Sequence, residues 1–152
     1  MEGCFRTVKA VDIAPVLSIM DRLQFIHVNQ GGAKYECDVV LSGSFPPELQ
    51  GFIDNLGLGG VQARAMLRRL GPRQSIPPHV DKWMPKEADW HRFQVPLVSD
   101  PRIIMRWPED GQEIHLAPGF LYEVNFNKLH EVIHPADCSR VHLQIDQIAA
   151  TI

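Results

Sequence analysis

Arg140-Val141-His142-Leu143-Gln144-Ile145-Asp146 is the stretch that decides the fold class of this chain. Polar and apolar residues alternate along it without a break, and this period of two predicts a β-strand with one apolar face and one polar face. The apolar face requires a packing partner. If the polar face points into the fold, it is tolerated only where a binding site occupies the interior.

Upstream of this strand, short alternating runs separated by Pro and Gly begin near residue 63 and predict several closely spaced strands. Residues 92–97 form one such run. Two more, at residues 102–107 and 113–116, flank Pro108-Glu109-Asp110-Gly111, which is typical of a hairpin turn. The second half of the chain is therefore expected to be mainly β.

The first 60 residues predict two short helices. One runs over residues 13–23, with Asp12 as its N-cap, because apolar residues recur there at helical spacing. The other lies between Ser44 and Leu58, with a proline pair near its start. Between the two helices, residues 29–32 are typical of a turn and residues 36–41 of a strand.

Length and composition describe one globular domain. With 152 residues we expect a single domain over residues 1–152, in which residues 1–60 support a core at residues 61–148. A net charge of −3 gives no reason to expect a nucleic-acid partner. The three cysteines lack metal-type spacing, and neither a leader pattern nor a long apolar run is present, so we expect a cytoplasmic protein without a membrane segment.

His79-Val80-Asp81 is the first candidate site segment. Side chains two residues apart on a strand point to the same side, so His79 and Asp81 are expected to face one site together. Two imidazoles and one carboxylate hold ferrous iron on one face and leave coordination positions open. The second imidazole must come from downstream, where the candidates are His130, His134 and His142.

Arg140 follows His130 by ten positions, which places it on the next strand. A guanidinium keeps its charge and binds a carboxylate through two parallel hydrogen bonds. Arg140 is therefore suited to capture a dicarboxylate cosubstrate beside an iron site.

Five segments carry a pattern that extends from about Ala63 to Asp146, more than half of the chain. They are LGPRQSIPPHVD at 70–81, RFQVPL at 92–97, PGFLYEVN at 118–125, HEV at 130–132 and SRVHLQID at 139–146. Together they resemble the aspartyl/asparaginyl β-hydroxylase family of Fe(II)- and 2-oxoglutarate-dependent oxygenases, which also includes free-proline hydroxylases.

This resemblance implies a double-stranded β-helix, the cupin-like jelly roll, with the short N-terminal helices packed on one sheet. The implied iron ligands are His79, Asp81 and His130. The residues implied in binding 2-oxoglutarate are Arg140, Arg92, Gln94 and His134, with Arg140 on its distal carboxylate.

The implied reaction uses dioxygen to hydroxylate an unactivated carbon, while 2-oxoglutarate is decarboxylated to succinate and CO2. The substrate is expected to be an amino acid, a peptidyl residue or another small molecule. The charged segment Lys82–Trp90 follows Asp81 directly. It is either a lid over the substrate or a segment packed on the barrel edge.

Two alternatives belong to other functional classes. A cupin-like module would keep the fold and bind a metal or ligand without catalysis. His130-Glu131-Val132-Ile133-His134 also matches the zinc-peptidase pattern H-E-x-x-H, which requires both histidines on one helix. Pro135 disfavours that helix, because the residue before a proline is displaced from the α region.

Overall fold

Two facing antiparallel β-sheets make up most of the computed structural model, which describes residues 1–30, 35–81 and 88–149. The strands are β1 (Phe5–Ala10), β2 (Ile26–Gln30), β3 (Tyr35–Leu41), β4 (Val61–Leu70), β5 (Ile76–His79), β6 (Trp90–Val98), β7 (Ile104–Trp107), β8 (Gln112–Ile114), β9 (Phe120–Val124), β10 (His130–Ile133) and β11 (Arg140–Ile148). The large sheet has the order β1-β9-β6-β11-β4-β3-β2, and the small sheet β5-β10-β7-β8. The expected jelly roll is confirmed.

The first helix is shorter than the sequence predicts. Helix α1 spans Ala14–Leu17, and a separate 3-10 turn follows at Met20–Arg22. Its N-cap is Ile13 rather than Asp12, although the Asp12 carboxylate accepts a hydrogen bond of 3.0 Å from the backbone N–H of Ala14. The apolar spacing that suggested one long helix continues across the break, because both short pieces pack on the same sheet.

The second helix, α2 (Pro47–Asp54), also ends earlier than predicted. A 3-10 turn occupies Ser42–Ser44, and α2 starts at Pro47, where proline's missing N–H costs nothing. After the helix, Gly57 has a φ of 69°, a left-handed conformation that favours glycine. Helices α1 and α2 cover the outer face of the large sheet through their buried residues, Val16, Leu49 and Ile53.

Strand β11 lies in the middle of the large sheet, paired with β4 on one side and β6 on the other. Its apolar residues Val141, Leu143 and Ile145 pack with the helices on the outer face. Its polar residues are equally buried but point between the two sheets, where Arg140 and His142 meet Val132 of the small sheet. The alternation in this strand therefore separates an apolar layer from a polar interior, as predicted.

Other predicted elements agree in part. Strands β7 and β8 pair as the expected hairpin, and strands occupy residues 35–41 and 90–98. Strand β1 was not predicted, and Asn29 and Gln30 lie in β2 rather than in a turn. Residues 31 and 32 of that turn, and residues 82–87 of the predicted lid segment, lie outside the described residues. None of the described helices is both long and apolar enough to cross a membrane.

Candidate metal centre

The two sides of the candidate metal centre are brought together by strand pairing in the small sheet. Strands β5 and β10 are antiparallel neighbours, and their register places His79 directly opposite His130. The two imidazole rings are 4.4 Å apart between centroids. Because these residues are 51 positions apart in the chain, only the folded sheet makes them neighbours.

Asp81 lies just past the end of β5, where its backbone N–H donates to the carbonyl of Phe126 at 3.4 Å. One carboxylate oxygen is 3.5 Å from Nε2 of His79 and the other is 3.9 Å from Nε2 of His130. The three candidate ligand atoms all lie within 4.8 Å of one another. The described residues contain no other such cluster.

Hydrogen bonds at the far side of each ring decide which nitrogen faces the cluster. Nδ1 of His79 contacts the carbonyl of Pro77 at 2.8 Å, and Nδ1 of His130 contacts the carbonyl of Lys128 at 2.8 Å. A carbonyl only accepts, so both Nδ1 atoms carry the proton and both Nε2 atoms present a lone pair. This is the arrangement that orients metal-binding histidines.

The charge states also suit a metal. Burial lowers the pKa of His130 to about 4, so its ring is neutral near pH 7. Burial alone would raise the pKa of Asp81, but Arg92 and the two histidines outweigh it and hold that pKa below the ordinary value. The described ligands are thus a neutral imidazole and an ionised carboxylate, the protonation states that metal binding requires.

Of the three histidines that the sequence offered as third ligand, the cluster contains His130. His134 is buried, and its Nδ1 accepts a hydrogen bond of 3.3 Å from the backbone N–H of Ala136. His142 is buried as well, and its Nδ1 donates to the Gln94 side chain at 2.6 Å. Within the described residues, the Nε2 atoms of His134 and His142 have no hydrogen-bond partner.

Arg140 lies deeper in the interior, 4% exposed, on the strand that also carries His142. No carboxylate among the described residues pairs with its guanidinium. Burial, and then the neighbouring Arg68, lower the pKa of Arg140 to about 9. On the side of the small sheet, the gap beside Arg140 is too narrow for a water molecule. A buried cation in these surroundings is costly unless an anion joins it.

Arg92, expected to contact the cosubstrate, lies between two carboxylates. Its Nε donates to Asp146 at 2.7 Å, and its Nη1 donates to Asp81. Burial would lower the pKa of Arg92, but Asp146 and then Asp81 outweigh it and raise that pKa. Contacts of Arg92, Gln94 and His134 with a cosubstrate stay predictions.

Asp146 had no role in the sequence analysis. It is fully buried at 0% exposure, and it also accepts a hydrogen bond of 3.2 Å from Arg64. The signal that could have found it is its phase, because Asp146 is an even number of residues from Arg140 and so shares its inward face.

The segment His130–His134 does not form the helix that a zinc peptidase requires. Residues His130–Ile133 are strand β10, and Glu131 points away from the cluster to Arg106, with which it bonds at 2.7 Å. A glutamate held on the outer side has no access to a metal-bound water at His130.

The family model described as aspartyl/asparaginyl β-hydroxylase matches residues 45–149, more than half of the chain. The chain belongs to the aspartyl/asparaginyl β-hydroxylase family. This confirms the resemblance seen from residue 63 onward and extends it upstream to include α2. A search of curated protein sequences finds no match.

Solved structures share the fold of this aspartyl/asparaginyl β-hydroxylase family member. A 2OG-Fe(II) oxygenase-family oxidoreductase from Burkholderia pseudomallei has a TM-score of 0.70 at 14% identity, covering 96% of this chain and 86% of its own. A prolyl-4-hydroxylase from Pseudomonas putida gives 0.66 at 12% identity, covering 99% and 95%. The collagen prolyl hydroxylase of Paramecium Bursaria Chlorella virus-1, in complex with 2OG, gives 0.63 at 10% identity, covering 98% of both chains.

Proposed function

We propose that this protein is an Fe(II)- and 2-oxoglutarate-dependent hydroxylase. The observation that carries the proposal is the cluster of His79, Asp81 and His130, with Arg140 buried without a carboxylate in the same interior. Two imidazole nitrogens and one carboxylate oxygen are the ligand set of non-haem iron oxygenases, so the donors fit ferrous iron. Family membership supports the same function.

The buried cation supports 2-oxoglutarate as the cosubstrate. The distal carboxylate of this dianion would supply the negative charge that Arg140 lacks, through two parallel hydrogen bonds. The His134 ring is neutral, because burial and then the charge of Arg140 lower its pKa. Its unpartnered Nε2 is a second polar group that a bound ligand would satisfy.

In this proposal, iron with 2-oxoglutarate and dioxygen supplies the oxidising power for hydroxylating an unactivated carbon. The protein supplies three ligands, a cationic partner for the cosubstrate and a dry interior. Gln94 holds the His142 ring in place from the neighbouring strand. No side chain is required to act as a general base.

The substrate is proposed to be an amino acid, a peptidyl residue or another small molecule, and the protein to be cytoplasmic. No disulfide joins the described cysteines Cys4, Cys37 and Cys138, and this supports a reducing compartment. The alternative of a cupin-like binding module keeps the metal and the fold but predicts no turnover.

Two measurements test the proposal. Anaerobic titration of the Fe(II) protein with 2-oxoglutarate should produce the visible charge-transfer band of a chelated keto acid, and His79→Ala should abolish it. A screen of amino acids, peptides and nucleosides should then find a compound that stimulates succinate formation. Protein that binds iron and 2-oxoglutarate yet forms no succinate with any compound supports the binding module instead.

A further inference from the structure

Asp146 is a buried carboxylate surrounded by donors. Nε of Arg92 donates to its Oδ1 at 2.7 Å, while Nη2 of Arg92 and Nη2 of Arg64 donate to its Oδ2, both at 3.2 Å. Gln144 adds a fourth hydrogen bond at 3.3 Å. A fully buried carboxylate is stable only when hydrogen-bond donors and positive charges offset the loss of water. Such a costly group indicates a functional role.

Arg92 is held in one orientation by Asp146. Two of its three nitrogens bond the two oxygens of Asp146, a planar two-point contact that leaves Nη1 pointing to Asp81. The guanidinium also lies over the Phe126 ring, 4.8 Å from the centroid. Rotation of Arg92 away from Asp81 would break both bonds to Asp146.

The fixed orientation of Arg92 makes the surroundings of the two Asp81 oxygens different. Arg92 occupies Oδ2, while Oδ1 faces Nε2 of His79 at 3.5 Å. Among the described residues no donor bonds Oδ1, so a metal ion that enters the cluster meets one oxygen of Asp81 that is open and one that is already engaged.

We propose that Asp146 is a positioning residue that fixes Arg92, so that Arg92 holds Oδ2 of Asp81 and leaves Oδ1 as a single-oxygen metal ligand. The inference rests on the proposed metal-dependent function and identifies residues that set the affinity of its metal centre. Asp146 also balances the charge of Arg92. Without that balance, the guanidinium would be left to pair with Asp81 alone and to compete with the metal for it.

The test measures the Co(II) affinity of the purified full-length protein, because Co(II) is stable in air and reports its coordination by visible absorption. Asp146→Asn keeps the shape of the side chain but removes its charge. It should weaken Co(II) binding roughly 10- to 100-fold, the usual loss when the partner of a ligand is removed. The visible absorption of bound Co(II) should also change, because Arg92 is then no longer held in the plane that leaves Oδ1 of Asp81 alone facing the metal.

A matched control is available on the opposite face of the same sheet. Glu123 is also a buried carboxylate, bonded to Arg6 and His91 at 2.9 Å each, and it has no contact with the cluster. Glu123→Gln should lower the melting temperature and leave Co(II) affinity and spectrum unchanged. This control therefore separates a general loss of stability from the expected loss of Co(II) affinity.

Arg92→Lys provides a second variant if Asp146→Asn folds poorly. Lysine keeps the charge near Asp146 but cannot bond two carboxylates in a fixed plane, so Co(II) affinity should fall as for Asp146→Asn. The double variant should be no weaker than Arg92→Lys alone, because both changes interrupt one chain of contacts.

The positioning role is overturned if either single variant folds and binds Co(II) with wild-type affinity and spectrum. It is also overturned if the two changes weaken Co(II) binding additively in the double variant. Absence of substrate-dependent succinate formation contradicts the proposed hydroxylase, while the affinities relative to wild type still decide the role of Asp146. Wild-type protein that takes up no Co(II) overturns both.

Discussion

The two buried histidines His130 and His134 differ in which ring nitrogen carries the proton. Nδ1 of His130 donates to a carbonyl, which leaves Nε2 as an acceptor for a metal. Nδ1 of His134 instead accepts a backbone N–H, and the ring lies outside the ligand cluster. The same residue type thus leads to different roles, because the local backbone partner differs and His134 lies just past the end of β10.

Substituting glutamine at each position tests this difference. His130→Gln should weaken Co(II) binding by more than about 100-fold, since losing a ligand costs more than losing a ligand's partner. His134→Gln should bind Co(II) like wild type. Isothermal titration calorimetry measures both, and the opposite order would show that the wrong histidine was chosen as ligand.

Arg140 is expected to destabilise the cosubstrate-free protein and to strengthen the binding of 2-oxoglutarate. Its depressed pKa, about 9, means that the folded protein holds the charged form at a cost at every pH below that value. Arg140→Leu should therefore raise the melting temperature of the cosubstrate-free protein. The same variant should lose roughly 2 to 5 kcal/mol of 2-oxoglutarate binding, the usual cost of removing one partner of a buried charge pair.

The control for this prediction is Arg69→Leu. Arg69 also lies near the centre of the large sheet but is bonded to Asp38 at 2.9 Å, so its loss should not stabilise the protein or change the charge-transfer titration. If Arg140→Leu titrates like wild type, the cosubstrate carboxylate is bound elsewhere, with Arg92 or Arg68 as the candidates.

At the scale of elements, strand β10 takes the place of the helix that the H-E-x-x-H pattern requires. As a strand it turns Glu131 outward, where the ion pair with Arg106 is half exposed and contributes at most about 1 kcal/mol. Glu131→Gln should leave Co(II) affinity and succinate formation near wild-type values. A loss of activity by several orders of magnitude, with zinc bound one to one, would revive the peptidase alternative.

His91 of β6 contacts Glu123 of β9 and Asp89, which lies two residues before it in the chain. Its Nδ1 lies 2.9 Å from Glu123 and its Nε2 lies 3.2 Å from Asp89, and Arg6 bonds the same Glu123. Burial would lower the pKa of His91, but the hydrogen bonds to Glu123 and Asp89 outweigh it and raise that pKa. The protonated ring therefore stabilises the folded state.

This stabilisation should depend on pH in a defined direction. Because the folded-state pKa is raised, the contribution is complete below the unfolded value near 6.5 and is lost as pH rises through the folded value. Wild type should exceed His91→Gln in melting temperature at about pH 6, and the gap should narrow toward about pH 9. A gap that stays constant or widens would show that His91 acts through packing instead.

At the scale of the whole molecule, the candidate metal centre connects the two sheets. His79 and His130 belong to the small sheet, while Asp81 is bonded to Arg92 of the large sheet. A metal that binds the folded state alone stabilises it by mass action. Co(II) at about 100 times its Kd should raise the melting temperature by about 5 to 10 °C, and His79→Ala should show no such rise.

The layering of the molecule explains which elements the sequence predicted well. Strands β6 and β11 lie between two layers, so their alternation is strong and their positions agree with the prediction. Strand β1 lies at a sheet edge with mostly exposed side chains, which leaves little periodic signal. Both helices were predicted too long, because apolar spacing marks the face that packs and not where the backbone stops bonding.

The sequence by itself determined the polar and apolar faces of β11 and the residue types suited to iron, because these depend on local period and on side-chain chemistry. The family followed from the resemblance of five segments, which the family model confirms. Only the tertiary structure decided that His130 pairs with His79, and that Arg92 lies between Asp81 and Asp146. Those contacts join residues 51, 11 and 54 positions apart. Strand register and burial select such partners, and neither is encoded in the spacing of nearby residues.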